Sequence, residues 1–156
     1  MKKRIFKIAV AIVIAFAVFN AAWFAWSHIK YGKLSDGKEA AEFNSLFDKR
    51  YLYSDADRFD YLVKYPDYLS FTGNMSVGLP ASSDNPFTDA LIIWPTITGK
   101  YELGALLYDE DGTEYSVYID AQGKALSKED EDVVARHSES IQALLKKADE
   151  KWGILD

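Results

Sequence analysis

Residues 8–26, IAVAIVIAFAVFNAAWFAW, form a run of 19 residues with no charge, and Asn20 is its one clearly polar side chain. Few environments accept such a run. As a helix it is roughly 28 Å long, close to the thickness of a bilayer's hydrocarbon core. Lys2, Lys3, Arg4 and Lys7 precede it, whereas only Lys30 and Lys33 follow closely. That asymmetry keeps the N-terminus in the cytoplasm and sends the remainder outside. Two fates are open. A cleaved secretory signal has a shorter apolar region ending at small residues, for which Ala25-Trp26-Ser27 is a weak fit. An anchor continues through the interface with aromatic residues, as Trp23, Phe24, Trp26 and Tyr31 do here, and this favours the uncleaved anchor. The expected organisation is a basic tip and transmembrane anchor over residues 1–30, then a domain over residues 31–156 outside the membrane. Residues 27–37, with Gly32 and Gly37, read as a short spacer.

Charge separates the same two parts. All 24 acidic residues follow position 35, while 5 of the 18 basic ones precede position 31; the outer part therefore holds 13 basic against 24 acidic residues, a net charge of −11. Such a surface is repelled by nucleic acid and anionic lipid, and attracts a basic protein surface or divalent cations. The competing account is that the charge only keeps an exported domain soluble. With no cysteine, thiolate catalysis, zinc-thiolate sites, disulfides and lipoprotein anchoring are excluded.

Periodicity predicts an α+β domain. A helix is expected from Asp36, with Glu39 completing a capping box, through Ala40, Phe43, Phe47 and Tyr51, and DADRFDYLVKY suggests a second, short one stopped at Pro66. In YLSFTGNMSVGL, Leu69, Phe71, Met75, Val77 and Leu79 alternate with Ser70, Thr72, Asn74 and Ser76, as in a half-buried strand. SSDNP reads as a loop. DALIIWPTIT is apolar on both faces, as a central strand is, with Pro95 marking a bulge or edge. Ser127 and Asp130 form a capping box before a long helix whose stripe is Val133, Val134, His137, Ile141, Leu144, Leu145, Ala148 and Trp152, stopped at Gly153. The expected architecture is an antiparallel sheet of four or five strands with helices packed on one face.

YDEDGTEY, residues 108–115, carries four carboxylates around Gly112. Placing Gly112 at the sixth position of a calcium loop puts Leu107 first and Tyr118 twelfth, where oxygen ligands are required, so that reading fails. A hairpin with the three-residue loop Glu110, Asp111, Gly112 fits instead. Its register pairs Leu107 with Tyr115, Ala105 with Val117 and Leu103 with Ile119 on one face. On the other it pairs Tyr108 with Glu114, Leu106 with Ser116, Gly104 with Tyr118 and Glu102 with Asp120. The carboxylates then mark a solvated turn. With the first strand in the same sheet, the outer face presents Ser70, Thr72, Asn74, Glu102, Tyr108, Glu114, Ser116, Tyr118 and Asp120. Tyrosines ringed by carboxylates suit a protein partner with a basic surface, although alternation alone also predicts a plain solvent-facing sheet.

Catalytic signals are weak. His28 sits at the membrane boundary, and His137 lies on an apolar stripe where a hydrogen-bonded core residue is the ordinary role. No Ser-His-Asp grouping or phosphate loop is legible. Asp55, Asp57 and Asp60 in DADRFD offer a D-x-D for a cation, but supply too few ligands alone, and such residues also cap helices. The expectation is a binding protein without catalytic residues, cofactor or metal.

The basic, apolar N-terminus, the small cysteine-free acidic domain, and IIWPTITGKYELGALLYDEDGTEYSVYIDAQGK ahead of a C-terminal helix reaching EKWGIL together resemble the TipC-type immunity proteins of Gram-positive bacteria. The resemblance is one of layout and covers most of the chain. It implies a surface-displayed domain that binds and occludes a cognate toxin exported by the type VII (LXG) route, a toxin attacking the cell-wall precursor lipid II. No catalytic residue carries over. Two rival expectations stand beside it: a membrane-anchored sensor or accessory subunit, for which a deep aromatic pocket would speak, and a hydrolase using Asp55, Asp57 or Asp60 with a metal, which metal-independent function would exclude.

Overall fold

The structure is a computed structural model that describes residues 2–35, 49–80 and 87–155. One long helix, α1 (Lys2–Ser35), is followed by six strands and a C-terminal helical pair. The strands are β1 (Arg50–Ser54), β2 (Asp60–Lys64), β3 (Asn74–Gly78), β4 (Ala90–Pro95), β5 (Tyr101–Tyr108) and β6 (Glu114–Ile119). They form a single antiparallel meander in which each strand pairs with the next in sequence. The α+β class holds, with six strands rather than four or five.

One local geometry recurs at the turns. Between β5 and β6, Asp109 N–H reaches Thr113 O at 3.0 Å, Gly112 N–H reaches Asp109 O at 2.9 Å, and Gly112 takes φ +84°. This is a three-residue loop closed by a left-handed residue, and its twist matches that of the flanking strands. The β4 to β5 turn repeats it at Thr96, Gly99 and Lys100, and the turn after β6 at Asp120, Gly123 and Lys124. The turn from β1 to β2 repeats it once more, with Arg58 at φ +67° where the others carry glycine. The expected β5–β6 register is reproduced from Leu103 opposite Ile119 to Tyr108 opposite Glu114.

Four sequence expectations fail here. The short helix over 55–65 is a turn followed by β2. Tyr61 and Val63 are buried while Leu62 and Lys64 face outward, a period of two that the surrounding acids obscure. The strand expected to begin near Leu69 starts only at Asn74, because Leu69 at φ +64° and the turn from Asp67 to Ser70 carry residues 66–73 out of the sheet. The expected spacer after residue 27 is helical as far as Ser35. The helix expected from Asp36 falls outside the described residues up to Asp48, as does the SSDNP loop up to Pro86; the end of that helix, Arg50 and Tyr51, is strand β1.

One face of the sheet is the core. Val63, Met75, Val77, Leu91, Ile93 and Leu107 are fully buried against Ile141, Leu144, Leu145 and Ala148 of α3 (Ser138–Trp152), which crosses β3 and β4. The expected long helix is interrupted. Ser127 caps a 3-10 turn (Lys128–Asp130) by accepting from Glu129 N–H, α2 (Glu131–Arg136) follows, and the chain breaks at His137 before α3. Gly153, at φ 61°, ends α3 as expected.

The C-terminal end of α1 completes this core. Tyr31 is fully buried, and its phenol oxygen accepts the Gly73 N–H at 2.7 Å. Trp152 Nε1–H donates to Leu34 O at 3.0 Å, joining the ends of α1 and α3. Residues 3–20 of α1, by contrast, carry almost no buried side chain, and the helix is long and apolar enough to cross a membrane.

Candidate functional site

Strand alternation fixes what the second sheet face displays. One row runs Leu52, Leu62, Ser76, Ile92, Gly104, Tyr118 across all six strands, and the next runs Ser54, Asp60, Gly78, Ala90, Leu106, Ser116. Trp94, opposite Glu102, lies over Gly104, where a Cβ would meet its ring at 2.9 Å, and its centroid is 5.9 Å from that of Tyr118. No described element covers this face. Leu52 is 53% exposed and Tyr118 58% exposed, while Ile92, Trp94 and Leu106 are half-buried. A sheet face that merely meets water carries polar side chains at these positions. Here leucine, isoleucine, tryptophan and tyrosine at 52, 62, 92, 94, 106 and 118 stand among the polar Ser54, Asp60, Ser76 and Ser116.

The rim carries the charge. Tyr108 O–H donates to Glu114 Oε2 at 2.9 Å, and that carboxylate, ahead of partial burial, holds the phenol above its ordinary pKa. Glu102, Glu114 and Ser116 are exposed along β5 and β6. Arg50 and Lys64 lie at the other edge, where Lys64 pairs with Asp67 at 3.2 Å. The face is therefore acidic along β5 and β6 and mixed at the other edge, where Arg50 and Lys64 accompany Asp60.

The structure thus brings together Glu102, Tyr108, Glu114, Ser116 and Tyr118 of the expected surface, with Asn74 at the start of β3 on the same face. Asp120 follows β6, and its carboxylate accepts from Gln122 and Lys124 N–H at 2.9 Å each, so it builds a turn. It also lines, with Glu102 and Tyr118, an edge groove of about 390 Å³. Ser70 and Thr72 do not belong to this face. They lie in the 66–73 loop beside α1, where Ser70 O accepts the Trp23 indole N–H at 2.7 Å. Sequence reasoning placed Leu106 on this face but did not count it toward the site, lost Leu62 with the misread helix, and passed over Ile92 and Trp94. The signal for the last two was the two-sided apolarity of LIIW, read as burial on both faces when only one is buried.

A polar cluster lies at the helix break. His137 Nδ1 is 2.9 Å from Asp89 Oδ2, and its Nε2 is 3.1 Å from Asp109 Oδ1. Asp89, 5% exposed, also accepts Tyr108 N–H at 2.9 Å and the Ser140 hydroxyl. Asp109 further accepts from Arg136 and Tyr115, each at 3.0 Å. The His137 contact first, and then Arg136 and Tyr115, hold the Asp109 carboxyl below its usual range. Serine, histidine and aspartate meet here, but Ser140 bonds Asp89 and not the imidazole. The histidine has no ring nitrogen left to take a serine proton, so the wiring is that of a clasp. The acidic tip is accordingly only partly a solvated turn, since Asp109 ties the hairpin to α2.

The D-x-D at Asp55 and Asp57 is also engaged. Lys147 Nζ lies 3.2 Å from Asp55 Oδ2 and 2.6 Å from Asp57 Oδ2, an ammonium where a cation was considered. Tyr61 donates to Asp55 at 3.1 Å; burial, then that carboxylate, pushes its phenol up to about 12. Asp60 accepts from Ser54 at 2.6 Å. Among the described residues no three histidines or acids are grouped to hold a metal ion.

Comparison with known proteins finds no family model, no curated sequence and no solved structure that matches this chain, so no residue role is inherited from a relative.

Proposed function

We propose that the chain is a membrane-anchored protein-binding module: α1 spans the membrane, the sheet domain stands on its outer side, and the second sheet face docks a protein partner. Following the resemblance in layout, that partner is a secreted antibacterial toxin and the chain its immunity protein, acting by occlusion at the surface where the toxin works. The observation that carries the reading is that Leu52, Leu62, Ile92, Trp94, Leu106 and Tyr118, from three neighbouring rows, share a face that no described element covers. Large apolar and aromatic side chains gathered on a solvated surface, rimmed by charge, mark interfaces rather than ordinary surface. Anchoring confines such a binder to two dimensions and raises its effective concentration against a membrane-bound process. The acidic side at Glu102 and Glu114 steers a basic partner.

The test is co-purification of the full chain, in detergent, with the exported proteins of its own organism, beside the Ile92→Asp/Leu106→Asp double variant. One stoichiometric toxin-like partner, lost in the double variant, supports the reading. A partner retained by a folded double variant removes this face from it, and recovery of no protein at low and moderate salt transfers the weight to a small-ligand sensor.

A further inference from the structure

We propose that the loop of residues 66–73 is a second membrane contact, which beds Leu69 and Phe71 into the lipid interface beside the anchor and so fixes the height and tilt of the sheet over the bilayer. The inference rests on the reading of α1 as a membrane span and adds to it a lipid-contacting surface on the domain itself.

The loop is held at a particular level of the helix. Tyr68 O–H donates to Asn20 Oδ1, and its ring lies edge-on to Trp23 at 5.5 Å. Trp23 Nε1–H donates to Ser70 O, and the Phe71 ring is 5.8 Å from Trp26. All three of these helix residues belong to the uncharged run 8–26. Asn20 stands about 9 Å inside the end of that run, at 1.5 Å per residue. Because the run matches the hydrocarbon core, a loop fastened at Asn20 and Trp23 lies just inside the edge of that core, beneath the polar zone, roughly 5–8 Å deep, that Lys30 enters.

The loop is built for that place. Leu69 and Phe71 are each 44% exposed, and neither belongs to the core cluster. Several polar groups around them find partners within the protein: Ser70 N–H bonds Asp67 O, the Ser70 hydroxyl bonds Thr72 O, and Gly73 N–H bonds Tyr31. Backbone at the membrane needs such partners, because water is scarce there. Leu69 is held at φ +64°, a left-handed conformation that a side-chain-bearing residue seldom adopts. The one acid of the loop, Asp67, pairs with Lys64.

Chemistry is layered outward from this level. Trp26 lies between Phe71 and Lys30, whose Nζ is 5.4 Å from its ring. Beyond it, Trp26, Ile29, Lys30, Lys33 and Tyr101 line a cleft of about 590 Å³. Apolar, then aromatic, then cationic is the order that acyl chains, interface and phosphate require, with lysine stems lying along apolar surface and their ammonium groups at phosphate depth. The outer part as a whole carries a net −11 that repels an anionic bilayer, and the lysines of this patch locally offset that repulsion.

The absence of cysteine makes the test direct. Single variants Leu69→Cys, Phe71→Cys, Ser116→Cys and Val13→Cys of the full chain are labelled with an environment-sensitive fluorophore and placed in phosphatidylcholine/phosphatidylglycerol vesicles. Quenching by shallow spin-labelled lipid is compared with quenching by aqueous iodide. Labels at 69 and 71 are expected to be quenched several-fold more by lipid than the label at 116, and to be shielded from iodide. If 69 and 71 respond to iodide as 116 does while 13 is lipid-quenched, the anchor stands and the bedding loop is overturned. If 13 is also open to iodide, the anchor fails and this inference fails with it.

Discussion

Replacing Tyr31 asks whether the end of α1 is part of the folded domain or only its tether. The side chain is fully buried, its ring is 5.5 Å from Tyr65 and 6.3 Å from Trp26, and its oxygen accepts the Gly73 N–H at 2.7 Å. Gly73 has no room to adjust, since a Cβ there would stand 2.8 Å from the Tyr31 ring and 2.2 Å from Lys64 O. Tyr31→Phe keeps the packing and strands a buried N–H, costing about 1–3 kcal/mol. Tyr31→Ala removes the ring as well, and the cavity raises the loss to about 3–5 kcal/mol. Urea unfolding of the full chain in detergent, followed by near-UV circular dichroism, measures both. The predicted signature is a graded loss, alanine beyond phenylalanine, with the sheet itself unfolding earlier. An alanine variant within about 1 kcal/mol of wild type would refute the reasoning, because truncating a core aromatic side chain cannot be that cheap.

Other predictions follow from the turns, the sheet face and the carboxylates. Arg58→Gly relieves a left-handed residue and is expected to stabilise by up to about 1 kcal/mol, while Gly112→Ala in the equivalent position costs about 1 kcal/mol, both read from urea midpoints. Gly104→Ala drives a methyl against Trp94 and is expected to cost about 1–3 kcal/mol and to alter the tryptophan near-UV signal; unchanged spectra would mean that Trp94 does not lie on the sheet. The Asp109 and Asp111 carboxyls are held low, the first chiefly by His137 and the second by Thr113 N–H. Their stabilising contribution is therefore complete above the unfolded value of about 4 and lost as pH falls through the lower folded values. Thermal midpoints should drop below about pH 4, and Asp109→Asn should flatten that slope.

What was legible in the sequence was whatever one element decides alone. Alternation in YELGALLY and EYSVYI set the β5–β6 register, and Gly112 announced its turn. The same turn between β1 and β2 stayed hidden because Arg58 occupies the glycine position, and with it went β2, mistaken for a helix. The clasp of His137 with Asp89 and Asp109 joins residues 48 and 28 positions apart and leaves no local signature. The break it marks in the C-terminal helix was invisible for the same reason. Of the candidate face, the polar rim on β5 and β6 was anticipated. Its apolar floor was not, because an apolar run in a strand does not say which of its faces is covered.

The central claim is that the second sheet face meets a protein partner outside the membrane. Ser116 lies on that face and Lys146, its side chain 77% exposed, lies on the helix behind the sheet. Single-cysteine variants Ser116→Cys and Lys146→Cys of the full chain, each carrying a short photo-crosslinker and exposed to the exported proteins of the organism, compare the two sides directly. The account predicts one discrete crosslinked protein from position 116 and none from 146. Crosslinking from 146 alone, or from neither position, would contradict it.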